Sequence, residues 1–215
     1  NLIVASQEDG FGVIRKFDTA DLAAGPLWTQ SLGDMGSGRI GDIAVDGSNI
    51  YIAGSASGSF APSAPINAYS GGERDAVLVK LTDGAAPTVD YTTFLGSDKD
   101  EMANAITLDG AKVYLAGKTT GALPGQALVG ERDAFAASFN ASDGAFDWAV
   151  QLSGRNGISE ATGVSVVAGG DSVLDALGLP AGTLTYSDSR VVTDRTAARD
   201  GDFFYISVNG GRREK

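Results

Sequence analysis

Along most of the chain, apolar and polar residues alternate in short runs, and each run is closed by Asp, Gly, Asn or Ser. Four such runs follow one another at Asp75–Leu81, Val89–Leu95, Asn104–Leu108 and Lys112–Gly117. Alternating or continuous apolar runs of five to seven residues predict short strands, and the turn residues between them predict antiparallel hairpins. Asp46-Gly47 and Asp109-Gly110 each separate two apolar runs, where a tight turn needs backbone conformations that most residues resist. The thirty glycines of the 215-residue chain agree with turns and argue against helices. The pattern predicts an all-β protein.

The runs also repeat. GDIAVDGSNIYIAG at 41–54 returns as NAITLDGAKVYLAG at 104–117, so that Asp46, Gly47, Tyr51, Ala53 and Gly54 recur 63 positions later. GERDAVLVKL at 72–81 returns as GERDAFAASF at 130–139, a shift of 58, and a looser version, QEDGFGVIRKF, stands at 7–17. LWTQSLG (27–33), DYTTFLG (90–96) and FDWAVQLSG (146–154) place Trp28, Tyr91 and Trp148 at one equivalent position. Four antiparallel strands repeated every ~40–65 residues point to β-propeller blades, because one such sheet cannot bury both faces alone and stacking buries them. The shared Trp/Tyr position then predicts an anchor between blades. Three units, of which only the middle one is regular, make a partial ring of about three blades, since propellers close with about four to eight.

DAFAASFNASDGAFDWAVQLSG, NAITLDGAKVYLAG and the linker SFAPSAPINAYSGG resemble the bacterial β-propeller repeat known as the SBBP repeat, over roughly residues 7–170. Its Leu-Gly-Gly element departs at Asp34 and Ser97, and the third unit lacks the Tyr-containing last strand. The resemblance implies blades in a secreted, cell-surface or envelope-associated bacterial protein.

After Val164–Val167 the repeat stops. DSVLDALGLPAGT at 171–183 predicts a short helix capped by Ser172 and ended by Gly178 and Pro180. Residues 1–182 hold 10 basic and 22 acidic residues, against 6 and 5 in 183–215. A boundary near Gly182 follows, separating the repeats from a tail with one strand, Asp202–Val208, and a turn at Asn209-Gly210-Gly211. The tail reads either as a degenerate fourth blade or as the start of a second small β region. LDALGLPAGT and RDGDFFYISVNGG resemble segments of flagellin-regulating and flagellar-associated bacterial proteins.

Charge and composition narrow the chemistry. A net charge of −11 repels phosphate backbones and anionic membranes, so nucleic acid is an unsuitable partner. Without cysteine or histidine, disulfides, thiol nucleophiles, ordinary zinc sites and histidine bases are excluded. No apolar run approaches the roughly 18–20 residues that span a bilayer. The chain opens inside the apolar run Leu2–Ala5 with no methionine before it, as a piece of a longer protein would.

Asp98, Asp100 and Glu101 form the densest acidic stretch and offer oxygen ligands to calcium, although the EF-hand pattern is absent. The competing reading makes Asp100 and Glu101 turn caps, and the sister loops 34–40 and 155–160 carry fewer acids. Asp75 and Asp133, each preceded by Glu-Arg, are the sharpest repeated polar feature. They are either equivalent binding points or, as the favoured reading, acceptors for backbone N–H groups at strand starts, with Arg74 and Arg132 paired to nearby carboxylates. No Ser-x-x-Lys, Gly-x-Ser-x-Gly or Walker-type motif occurs, and no catalytic or cofactor-binding residue stands out. The expected role is therefore a non-catalytic binding or scaffold surface for a protein or glycan partner. The alternative is a propeller lyase or glycosidase whose active site lies outside these residues.

Overall fold

The alternating runs fold as strands. The computed structural model describes residues 1–153, 157–167, 191–192 and 203–211, with Val167 and the last two stretches as backbone only. Hydrogen bonding groups the strands into four successive antiparallel sheets. The first contains β1 (Leu2–Glu8), β2 (Phe11–Phe17) and β3 (Pro26–Asp34). The second contains β4 (Arg39–Asp46), β5 (Asn49–Ala56), β6 (Asp75–Thr82) and β7 (Thr88–Leu95). In the third, β8 (Glu101–Asp109), β9 (Lys112–Thr119), β10 (Asp133–Asn140) and β11 (Phe146–Leu152) repeat that order. The fourth pairs β12 (Ile158–Val167) with β14 (Phe203–Gly211), and β14 with β13 (Val191–Val192). Among the described residues no sheet closes on itself, and no helix is long and apolar enough to cross a membrane.

The expected strands are all present, but the sequence unit and the sheet are out of phase by two strands. Asp75–Leu81 and Val89–Leu95 belong to the second sheet, Asn104–Leu108 and Lys112–Gly117 to the third. Connection length conceals this. The long loop 57–74 returns to the neighbouring strand, whereas the short loop 96–100 crosses to the next sheet. Loop 57–74 also covers the outer edge of β7: Ile66 N–H donates to Thr92 O at 2.8 Å, and Phe94 N–H to Asn67 O at 3.1 Å. The phase shift leaves a three-stranded sheet at each end, so four sheets occur where about three units were expected.

The tail differs too: the Tyr-containing strand expected to be missing from the third unit is β14, whose Tyr205 pairs with Ser165 of β12 as Tyr51 pairs with Ala44 and Tyr114 with Thr107. Asn209-Gly210-Gly211, expected as a turn, continues β14 instead, because these residues pair with Ile158–Glu160 of β12. The short helix at 171–183 and the boundary near Gly182 lie outside the described residues.

The two Asp-Gly signals make two-residue hairpins, with Asp46 opposite Asn49 and Asp109 opposite Lys112. Gly47 (φ 58°) and Gly110 (φ 48°) occupy the first loop position, where a type II′ turn needs a positive φ. Each first strand then bulges at one residue, Gly41 in β4 and Asn104 in β8, which sharpens the local twist.

Apolar faces meet between successive sheets. Ile14, Trp28 and Leu32 of the first sheet pack on Ile50, Ile52, Val77, Val79, Leu81 and Phe94 of the second. The opposite face of the second sheet, with Tyr51, Leu78, Tyr91 and Leu95, packs on Val113, Leu115, Phe135 and Phe139 of the third. Ala116, Ala134 and Ala136 meet Ala161 of β12.

The shared aromatic position locks these contacts. Trp28 pairs with Lys16, Tyr91 with Lys80 and Trp148 with Ser138, at one register in three sheets. Trp28 reaches across to the next sheet, where its indole N–H donates to Asp83 Oδ1 at 3.0 Å beside Lys16 at 2.5 Å from Oδ2. Tyr91 likewise reaches the next sheet, its hydroxyl donating to Ala141 O at 3.4 Å. A Trp28→Phe substitution keeps most of the buried ring but leaves Asp83 short of a donor. It is expected to lower stability by about 1–2 kcal/mol in urea unfolding; an unchanged midpoint would show that the indole does not tie the two sheets.

Candidate functional site

The polar residues singled out in the sequence gather at one end of the sheets, where β6, β8, β10 and β12 begin. The polypeptide folds that way because each strand start leaves backbone N–H groups of the incoming loop unpaired, and a carboxylate beside them is the simplest acceptor. Asp133 is the complete case. It is fully buried and accepts from Val129 N at 2.9 Å, Gly130 N at 3.0 Å and the Gln151 amide at 3.2 Å.

Asp75 holds the same place in the second sheet with fewer donors. Its Oδ2 accepts from Ser70 N at 2.5 Å, while Oδ1 is buried with no hydrogen-bond partner. Gln151 pairs with Phe135, and at the corresponding place in the second sheet Phe94 pairs with Val77, so the side-chain amide is replaced by an aromatic ring. Burial pushes the Asp75 carboxyl up from 3.8 to about 7, against hydrogen bonding from Ser70 and Gly71, with the nearby Glu101 charge adding to the rise.

The Glu-Arg neighbours stitch sheets together. Arg74 donates to Ser37 O at 3.0 Å and stands 3.8 Å from the Asp100 carboxylate, and Arg132 lies 3.3 Å from Glu160 at the start of the fourth sheet. Glu160 also accepts from the Asn104 amide at 2.9 Å and stands 3.4 Å from Lys118. The Asp42 carboxylate accepts from Ile106 N at 3.0 Å, so the first strands of successive sheets are tied side by side.

Asp98, Asp100 and Glu101 do not converge. Asp98 is largely solvent-exposed beside Lys99 at 3.2 Å. Asp100 accepts from Glu73 N at 2.9 Å and is held by Arg74. Glu101 is buried and accepts from Ser97 N and Oγ, both at 2.8 Å, and from Thr119 Oγ1 at 2.6 Å. Among the described residues no group of three acidic side chains is placed to hold a metal ion. Asp75 and Glu101, 0 % and 1 % exposed, are sealed from any dissolved substrate. What this end does chemically is to hold loops to strands and sheets to one another.

Sequence reasoning missed Gln151 and Glu160. Gln151 interrupts the apolar alternation of FDWAVQL, a readable signal of a buried polar role, whereas nothing local marks Glu160 as the partner of Arg132, Asn104 and Lys118.

The chain is similar to a protein named Regulatory protein FlaEY from Caulobacter vibrioides (strain ATCC 19089 / CIP 103742 / CB 15). The two are 34 % identical over 189 residues, covering 87 % of this chain and 20 % of the relative. The chain thus spans about a fifth of the length of the curated relative it matches. No family model matches the chain.

Two outcomes follow from this geometry. Asp75 is neutral in the folded protein at a pH where the unfolded chain is already ionised. Its contribution to stability is complete below about pH 4 and is lost as pH rises towards 7. Asp75→Asn should remove this dependence, raising stability relative to the parent by about 2–4 kcal/mol between pH 4 and 7.5; parallel pH profiles of the urea midpoint would refute it. Because the oxygens of Asp100 and Glu101 already serve protein donors, millimolar calcium should leave the thermal midpoint unchanged, and a rise that disappears in Asp98→Ala/Asp100→Ala would show ligation.

Proposed function

We propose that these residues form an arc of SBBP-type β-propeller blades and serve as a non-catalytic binding and scaffold module. The host protein would be a secreted, cell-surface or flagellum-associated bacterial regulatory protein, with a protein or glycan as partner. The observation that carries this reading is the arrangement of β4, β8 and β12. Each is the first strand of its sheet, they lie next to one another, and side-chain hydrogen bonds join each to the next, Asp42 accepting from Ile106 N and Asn104 donating to Ala161 O. Blades set around a common axis need their inner strands to converge in this way.

The loops 57–74 and 120–132 stand at the same end of this scaffold, where recognition usually resides. Pairing of β14 with β12 supports the degenerate-blade reading of 183–215. The flagellar part is supported by the similarity to Regulatory protein FlaEY and by the resemblance of the tail to flagellin-regulating proteins. Deleting the gene from the source bacterium is expected to change flagellin level or swimming, restored by the full-length protein. Normal flagellin and normal motility in the deletion strain would overturn the flagellar assignment, and polysaccharide turnover by the full-length protein that is lost on mutating acids in these blades would overturn the non-catalytic one.

A further inference from the structure

The last strands of the first three sheets, β3, β7 and β11, differ in what covers their outer edges. Ser31, Phe94 and Gln151 each stand three residues after the shared aromatic of these strands. Phe94 N–H donates to Asn67 O at 3.1 Å and Gln151 N–H to Gln126 Oε1 at 3.2 Å, so in both sheets the long loop between the two middle strands supplies the acceptor. In the first sheet the corresponding connection is the two-residue turn Asp9-Gly10, with Glu8 opposite Phe11, and it is too short to return across the sheet. Thr29 and Ser31 hold the places of Thr92 and Phe94, so Thr29 O and Ser31 N–H point outward from β3, and among the described residues nothing bonds to them.

Phe11 records the same difference. Its register, opposite Glu8, is that of Asp75 opposite Ala56 and of Asp133 opposite Thr119. Those aspartates are buried and accept N–H groups from the long loops. Where no loop arrives there is no N–H to accept, and the position holds an aromatic ring that is 45 % exposed. An unpaired strand edge that leads to an uncovered ring is a site for strand addition.

We propose that the outer edge of β3 takes an extended segment of a partner protein, running parallel to β3 as Pro65 runs along Thr92 of β7. This rests on the binding role proposed above and gives the partner its chemistry. The segment donates a main-chain N–H to Thr29 O and accepts from Ser31 N–H, the two bonds that Ile66 and Asn67 make with Thr92 and Phe94. The Gln30 amide donates to Ser31 O at 2.7 Å, so the new ladder stops after those two bonds. In the second sheet the loop goes on from Asn67 to Ser70, which meets Asp75, so an apolar side chain about three residues further along the partner covers Phe11. Asp9 and Asp34 stand exposed at that end of a chain of net charge −11, which makes a neutral or basic segment the fitting one. A second copy of this chain has neither long loop to lend, because each is bonded to its own sheet.

The test uses the full 215-residue chain and a synthetic peptide with the sequence of residues 64–71, APINAYSG, standing in for the partner segment, with a scrambled peptide as control. Peptide at millimolar concentration is expected to slow exchange of the Ser31 amide by about tenfold, leaving the third sheet unchanged. Ser31→Pro removes the outward donor at an edge position that tolerates proline, and is expected to weaken binding by about tenfold with the urea midpoint near the parent's. Ser31→Ala keeps the N–H and is expected to bind as the parent does. The proposal is overturned by any of four results: no slowing with peptide, equal slowing with the scrambled peptide, binding unchanged in Ser31→Pro, or a peptide-free chain that sediments as a dimer with Ser31 already protected. The motility and turnover readouts do not depend on this edge, so failure here leaves the scaffold reading standing.

Discussion

The second sheet carries apolar side chains on both faces, and this two-sidedness is the constraint on which the structure depends. Ile50, Ile52, Val77, Val79 and Leu81 project one way, Tyr51, Ala53, Leu78 and Leu95 the other. A single antiparallel layer of this kind would leave half of its apolar surface in water, at roughly 25 cal/mol for each Å². Stacking removes the cost on both sides at once, so the sheets gain stability from their neighbours as well as from their own ladders. The third-strand aromatics make the stacking directional. Trp28 and Tyr91 each bury a ring at the junction and present a polar tip that finds its acceptor only on the next sheet.

The same division of labour explains where the charges go. A chain of net charge −11 has few cations to spend, yet Arg74, Lys118 and Arg132 all stand at seams between sheets, opposite Asp100 or Glu160. Half-buried pairs of this kind contribute modestly as isolated ion pairs. Their effect here is geometric, because Glu160 gathers Asn104, Lys118 and Arg132 onto one carboxylate and so fixes how the third sheet meets the fourth.

Much of this architecture was legible in the residues themselves. Alternation located the strands, Asp-Gly located two hairpins, and the Trp/Tyr position announced the junctions, because each depends on local chemistry that repeats with the chain. The strand-start role of Asp75 and Asp133 was legible for the same reason. The phase of the sheets was not, since two connections of very different length, 57–74 and 96–100, reverse the usual association of short loops with hairpins. Pairing of β14 with β12 joins Gly211 to Ile158 across more than fifty residues, and Asn209-Gly210-Gly211 is composed like a turn, so local composition pointed the wrong way. Glu160 was invisible because its three partners come from three separate strands or loops.

Comparison of Asp75 with Asp133 shows how a repeat drifts without losing its fold. Both aspartates keep the backbone task, accepting N–H groups from the preceding loop, because that task is set by the strand start itself. The side-chain donor is not so constrained. Gln151 supplies an amide to Asp133, while Phe94 in the second sheet fills the corresponding place with a ring that packs edge-to-face on Tyr69 at 5.7 Å. Apolar packing stands there in place of a hydrogen bond, Asp75 Oδ1 is left without a partner, and burial raises the carboxyl to about 7. A buried acid with a raised pKa often marks a reactive centre. In this sheet it has a simpler origin: the neighbouring position holds core volume where the third sheet holds a polar partner, and the protonated carboxyl is the form that a dry site tolerates.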